Sequence, residues 1–397
     1  HMKEKFDPAF LGPQLLKEAE RFSSDLIDWR RDFHQFPEVA FEEHITASKI
    51  TRVLKEMDGI EVISGFDSPT CVVAVVGRNL PGPGLLLRTG MDAVEVEEQT
   101  GLSFSSSLPG VMHACGQDAH MASLLGAARL LSIHRDKLKR KVILLFQPAA
   151  EGKSGAKTLI ENKFFQEFDI EHCLGLLWWP ELPYGELFTR KGVMTALSDR
   201  IHIDIRGVSG WAAEPHLAVD PVTIAAHIII SIQSALTRDL DPRDPVVVSF
   251  PQIEAGSAYN VIADHANLWG TLRAFSSETR HLVQSRIEEI SATVAKAFKG
   301  HASVEYSANY GHVENDPEFT KKVLEIALPF FGEDGITMLD RPLLSGEDFS
   351  FFSSYVPSTF MLLGTGLEYK LHHPSYDVPE SLLPFSAAWE AYMALML

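Results

Sequence analysis

The chain is poor in cysteine, in positive charge and in long apolar runs, and each shortage removes a class of protein. Three cysteines in 397 residues, Cys71, Cys115 and Cys173, cannot build a disulfide framework. Thirty-five Lys and Arg stand against 53 Asp and Glu, a formal net charge of −18. Such a chain repels phosphate backbones, so a nucleic-acid partner is not expected. No apolar stretch reaches membrane-spanning length, and short runs such as Lys141 to Phe146 have the length of core strands. The N-terminal residues show no apolar signal segment, so a reducing, cytoplasmic setting is expected. There is no G-x-S-x-G elbow, no Walker A loop and no G-x-G-x-x-G after a strand. Internal repeats are absent. What remains is an ordinary globular composition, 45% hydrophobic and 22% charged, long enough for two or three domains.

Periodicity divides the chain. Pro13 to Phe36 and Thr46 to Asp58 read as amphipathic helices. Short apolar strands follow from Cys71 and Leu85, separated by the turn Leu80-Pro-Gly-Pro-Gly84. A long helix is predicted from Asp118 to His134, a strand at Val142 to Phe146, a helix at Gly155 to Glu161 and a strand at Cys173 to Leu177. Apolar strands alternating with helices predict an α/β domain with a mostly parallel sheet covered on both faces. From Arg200 the texture changes to strict alternation. The order strand, helix (Pro221 to Leu236), strand (Val246 to Ile253), strand (Ala266 to Phe275), helix (Thr279 to Phe298), strand (His301 to Tyr306) is that of an inserted ferredoxin-like α+β domain. The expected division is 1–197 with 309–397, and 198–308 as the insertion.

Four clusters could carry chemistry. Met112-His-Ala-Cys-Gly-Gln-Asp-Ala-His120 opens the long helix and packs two His, a Cys and an Asp together. A thiolate at a helix start has a lowered pKa, which suits metal binding or nucleophilic attack. Gln147-Pro-Ala-Ala-Glu-Gly152 follows a strand, where a carboxylate can ligate, act as a base or merely cap a helix. Leu371-His-His-Pro374 and Ser345-Gly-Glu-Asp-Phe349 are the others. Taking a Cys, a Glu and a His from three of these loops gives a thiolate, a carboxylate and an imidazole, a set that suits zinc with one open position, and either His372 or His373 could be a surface residue instead. The competing reading makes Cys115 a small buried residue and His120 a polar residue on a helix face.

On these residues the sequence resembles the aminoacylase-type zinc metallopeptidases, in the branch of hippurate hydrolase and auxin-conjugate amidohydrolases. The matches run nearly end to end: Arg30-Arg-Asp-Phe-His-Gln-Phe-Pro-Glu38, Met91-Asp-Ala93, Gly110-Val-Met-His-Ala-Cys-Gly116, Gly155-Ala-Lys157, Pro215-His216, Asp220-Pro221, Asn260-Val-Ile262, Gly270-Thr-Leu-Arg273, Gly346-Glu-Asp-Phe349 and Leu371-His372. The resemblance implies a dinuclear-metal catalytic domain with an inserted lid, a homodimer through that lid, and a small acyl-amino-acid-like substrate.

The departures from the family pattern are as informative. The family's Cys-Gly-His-Asp is Cys115-Gly-Gln117-Asp118 here, and its Glu-Glu pair is Ala150-Glu151. A family His falls on Leu177, the lid His on Trp211, and an Asp on Gly90. The resemblance implies that one metal is held by Cys115, Glu151 and His372. The second metal's own ligands fall on Gln117 and Leu177; leucine cannot ligate, and an amide is a poor zinc ligand. The general base falls on Ala150. At most one zinc or other divalent ion is therefore expected, or none, with Asp92, Asp118 or His113 handling protons. Trp211, Trp178 and Trp179 would line an aromatic pocket, Asn260 would contact substrate and Arg273 would hold its carboxylate; core packing and a lid salt bridge are the plain alternatives. Three functions stay open: an altered amidohydrolase, including one turned to acyl transfer or amide formation; a non-catalytic protein binding a ligand or partner in the inherited cleft; and a metal-free enzyme with Cys115 as nucleophile.

Overall fold

The computed structural model describes residues 8–397. They form two compact units. The first comprises the residues up to Met194, with Val313–Pro342 and Asp348–Leu397; the second comprises Thr195–His312 with Leu343–Glu347. The short return at 343–347 has no counterpart in the sequence reading.

The first unit is built on an eight-stranded sheet in the order Ile60–Ser64, Val72–Val76, Val142–Gln147, Gly84–Gly90, Ile170–Trp179, Ser358–Gly364, Leu187–Thr189 and Ile336–Met338. The four middle strands, from Val142–Gln147 to Ser358–Gly364, run parallel. Five strands of the sheet are buried at every position, because helices cover both faces. Full burial did not guarantee parallel pairing: Val72–Val76 is buried throughout yet pairs antiparallel with both neighbours. The edge strand Ile60–Ser64 was not anticipated, since its half-exposed pattern is too short for a clear period. The first predicted helix is two, Pro8–Arg21 and Ser23–Gln35, broken where Phe22 leaves helical backbone just before a Ser-Ser step. Helix Gln117–Ile133 is apolar nearly all round and packs against Leu382–Met396 and Ser23–Gln35 as a core helix.

The second unit is a four-stranded antiparallel sheet in the order Val247–Ala255, His265–Ala274, Leu197–Arg206, His301–Tyr310. Ile201, Ile203 and Ile205 point inward, and the alternate residues between them do not. Helix Pro221–Asp239 begins at Pro221 behind an Asp220 cap and buries Ile224, Ile228 and Ile232. Helix Ser277–Ala297 is capped by Ser276 and buries Val283, Ile287 and Ile290. This is the ferredoxin-like arrangement. Among the described residues no helix is long and apolar enough to cross a membrane.

Candidate metal and catalytic site

The candidate residues of the first unit gather at the carboxyl ends of its parallel strands, where open α/β sheets present their sites. Strand Gly84–Gly90 delivers Asp92, strand Val142–Gln147 delivers Ala150 and Glu151, and strand Ile170–Trp179 carries Leu177 and Trp178 just before its last residue. Gly116, left-handed at φ 81°, turns the chain into helix Gln117–Ile133 and leaves Cys115 just ahead of it. His372 lies in the loop after Ser358–Gly364. It is left-handed too, at φ 68°, and its N–H donates to the carbonyl of Ala114 at 2.8 Å. A non-glycine residue in that region carries a cost of about 1–2 kcal/mol, offset here by a bond that ties the His372 loop to the Cys115 loop. The possible ligand atoms of Cys115, Glu151 and His372 all lie within 4.8 Å of one another. Cys115 is buried, Glu151 half-buried and His372 exposed.

Two buried carboxylates hold the Glu151 turn by its backbone. Asp92 accepts from the N–H groups of Glu151 and Gly152 at 3.0–3.1 Å. Glu43 accepts from Ala149 N–H at 2.8 Å. Burial, with the charge of Glu151 beside it, pushes Asp92 up to about 8. Asp92 thus shapes the turn rather than standing open as a base.

Gln117 and His120 form a directional chain. The backbone N–H of Trp178 donates to His120 Nε2 at 3.0 Å, so that nitrogen is an acceptor. Nδ1 therefore carries the proton and donates to Gln117 Oε1 at 3.1 Å. Gln117 Nε2 donates to Glu151 Oε1 at 2.6 Å. Burial drives His120 down to about 3 and keeps it neutral, as this tautomer requires.

Asp118 faces the other way. It accepts from Arg30 Nε and pairs with His34 Nδ1, both at 2.8 Å. Arg30 also reaches Asp377 and Glu380, and His34 Nε2 meets Glu98 at 2.8 Å. Burial alone would raise Asp118, but Arg30 and His34 hold it far below the usual carboxylate range. Burial would lower His34, yet Asp118 and Glu98 lift it to about 9. The expectation that Asp118 handles protons is corrected: it is a fixed anion inside an ion-pair network. His113 differs. It is buried, burial lowers it to about 4, and neither ring nitrogen has a hydrogen-bond partner among the described residues.

Trp178 is also corrected. It is fully buried among Leu26, Met112, Tyr376 and Leu383, and its Nε1 donates to Ser386 Oγ at 3.2 Å. It is core, and its functional contact is the backbone N–H given to His120. Leu177 pairs with Leu362 in the sheet and offers no ligand atom. In the second unit, Trp211 is 61% exposed in a two-residue strand paired with Val261–Ile262, and Asn260 is exposed beside it. Arg273 is half-buried, has no ion-pair partner among the described residues, and is lowered by burial. Gly346 lets Arg273 lie close, since a Cβ there would stand 2.9 Å from Nη1.

The sequence reading missed the His120–Gln117 chain and the Arg30–His34–Glu98 network. Arg30 and His34 were visible only as part of a quoted motif, because pairing across 84 and 88 residues leaves no local spacing to read.

The sequence matches Peptidase family M20/M25/M40 over residues 86–395. It is 33% identical to N-acetylcysteine deacetylase of Bacillus subtilis (strain 168) over 376 residues, 95% of this chain and 97% of that one. It is 35% identical to the Arabidopsis thaliana IAA-amino acid hydrolase ILR1-like 4, covering 94% of this chain and 86% of that one. A solved Bacillus subtilis structure, described as a dinuclear metal binding peptidase from the M20 family, superposes with a TM-score of 0.81 at 31% identity, covering 95% of this chain and 98% of that one. Fold, motif order and these likenesses along nearly the whole chain agree: the protein belongs to Peptidase family M20/M25/M40.

Proposed function

We propose that the protein is an amidohydrolase acting on the amide bond of N-acyl amino acids, with a single divalent metal ion held by Cys115, Glu151 and His372. The observation that carries this reading is the convergence of those three side chains within 4.8 Å from three separate loops. The donor set fits the ion: thiolate, carboxylate and imidazole are the usual zinc ligands, and three protein ligands leave a position open. Bound there, such an ion supplies Lewis acidity toward a carbonyl and acidifies water.

The chain's own residues supply the rest. Asp92 and Glu43 fix the turn that carries Glu151. Ala150 has no basic group, and proton transfer is assigned to His113, whose ring nitrogens have no hydrogen-bond partner among the described residues. A positioned base is worth about 10²–10⁴ in rate, so turnover below that of relatives with a carboxylate at this position is expected. Arg273, a partly desolvated guanidinium without an ion-pair partner among the described residues, is assigned to a substrate carboxylate, with Trp211 and Asn260 as further substrate contacts. A homodimer through the second unit is part of the proposal.

The relatives named above bear the names of hydrolases, and nothing in them favours a non-catalytic protein. The deciding experiment is zinc content per chain by mass spectrometry, together with turnover of a panel of N-acyl amino acids with and without chelator. One zinc per chain and chelator-sensitive amide hydrolysis are expected. Turnover that survives chelator but is lost in Cys115→Ala would replace this reading with thiol catalysis. Saturable binding without turnover would replace it with a binding protein.

A further inference from the structure

Gln117 does more than fail to be a histidine. Its amide has one possible orientation. His120 Nε2 already accepts from the Trp178 N–H, so Nδ1 must donate, and it donates to Gln117 Oε1. Turning the amide over would set two donors face to face at His120 and two acceptors face to face at Glu151. The NH₂ group is thereby committed to Glu151 Oε1, at 2.6 Å. Gln117 and His120 are only 4% and 5% exposed, so water does not compete for these bonds.

The space for this amide is made by two other positions. A Cβ placed on Gly90 would stand 2.5 Å from Gln117 Nε2 and 2.8 Å from the Cβ of Ala150. The amide lies over the bare backbone of Gly90, next to the methyl of Ala150. Gly90, Gln117 and Ala150 are far apart in sequence, yet each is needed for the same packing. Any side chain at position 90 would press on the amide and on the methyl of Ala150. Separate losses would not be expected to fit together in this way.

We propose that Gln117 is a positioning residue standing in for a cation beside Glu151. Its N–H fixes the carboxylate through Oε1 and closes that side of the cluster to a second metal ion. A second ion would have to displace an N–H held by three successive hydrogen bonds, the first two of them buried. The proposal rests on the one-ion reading above and adds how the single site is kept single and oriented. Removal of an outer partner of a metal ligand typically weakens metal binding 10–100-fold.

The test uses the full chain and zinc itself. Zinc affinity is measured by competition with a chromophoric chelator, zinc per chain by mass spectrometry under excess metal, and the melting temperature on metal-free protein. The wild type is expected to stop at one zinc. Gln117→Ala is expected to bind zinc about 10–100-fold more weakly. Gln117→Met, close in shape but without the donor, guards against a folding failure and should show the same loss. Gly90→Ala removes no functional group but expels the amide, so it should weaken zinc similarly, and the Gly90→Ala/Gln117→Met pair should be no worse than either alone. Unchanged zinc affinity in well-folded Gln117→Met overturns this inference and leaves the one-ion reading standing. Two zinc ions per wild-type chain overturns the exclusion. No zinc in the wild type overturns the one-ion reading itself.

Discussion

Glu390 offers a quantitative test of the packing behind the site. It sits on helix Leu382–Met396, 7% exposed, and among the described residues its carboxyl meets the hydroxyls of Ser123 and Ser386. Ser386 in turn accepts from Trp178 Nε1, so the carboxyl is two bonds removed from the residue whose backbone orients His120. Burial raises Glu390 from 4.5 to about 7. At 1.36 kcal/mol per pH unit, ionising it in the folded state costs about 3 kcal/mol. The sign follows from proton binding. Below pH 4.5 both states are protonated and the group costs nothing. As pH rises from 4.5 to 7 the unfolded chain gives up its proton first, so stability falls; above 7 the full penalty is present. Glu390→Gln keeps the shape and hydrogen-bonding capacity without the charge. Urea denaturation of both proteins at pH 5, 6, 7 and 8 should show the variant nearly level with wild type at pH 5. By pH 8 it should be more stable by about 2–3 kcal/mol. A stability difference that does not change with pH, or a variant weaker than wild type at pH 8, would refute the argument.

Four shorter expectations accompany it. Arg30→Met leaves Asp118 as a buried, partly uncompensated anion and should cost about 3–5 kcal/mol in denaturant titrations; a loss under 1 kcal/mol would mean that the network is not holding the charge. His372→Ala should abolish stoichiometric zinc with little change in the circular dichroism spectrum, and zinc retained at wild-type affinity would remove His372 from the ligand set. Arg273→Ala should raise KM for N-acyl amino acids without a matching loss on amides that lack the carboxylate, and an equal effect on both classes would count against its assignment. His113→Ala should lower kcat by about 10²-fold or more, whereas an unchanged kcat would send the search for the proton acceptor elsewhere.

The fold was legible because its signals are local. Strict alternation at Arg200 to Arg206 and the Asp220-Pro221 start needed no knowledge of the rest of the chain, and the inserted domain follows from them. Cys115, Glu151 and His372 stood out as candidates because few side-chain types suit zinc, and their possible ligand atoms lie within 4.8 Å of one another. The failures share one cause: they depend on partners distant in sequence. Trp178 was assigned to a pocket because tryptophan at a strand end can serve either purpose, and only Ser386, 208 residues away, settles it. Asp118 looked like a base because it neighbours Cys115 in sequence, yet at a helix start the side chains of Cys115 and Asp118 diverge, and Asp118 turns toward Arg30 and His34. Gly90, Gln117 and Ala150 could each be read from the sequence as a departure from the family. Their mutual contacts could not, because no rule of spacing connects positions 90, 117 and 150 until three chain segments meet at one end of the sheet. That meeting changes their meaning. The amide between Glu151 and His120 belongs to a relay in which Trp178 N–H, His120 Nδ1 and Gln117 Nε2 each donate to the next acceptor. On the one-ion reading proposed above, this relay gives the single site an internal order of its own.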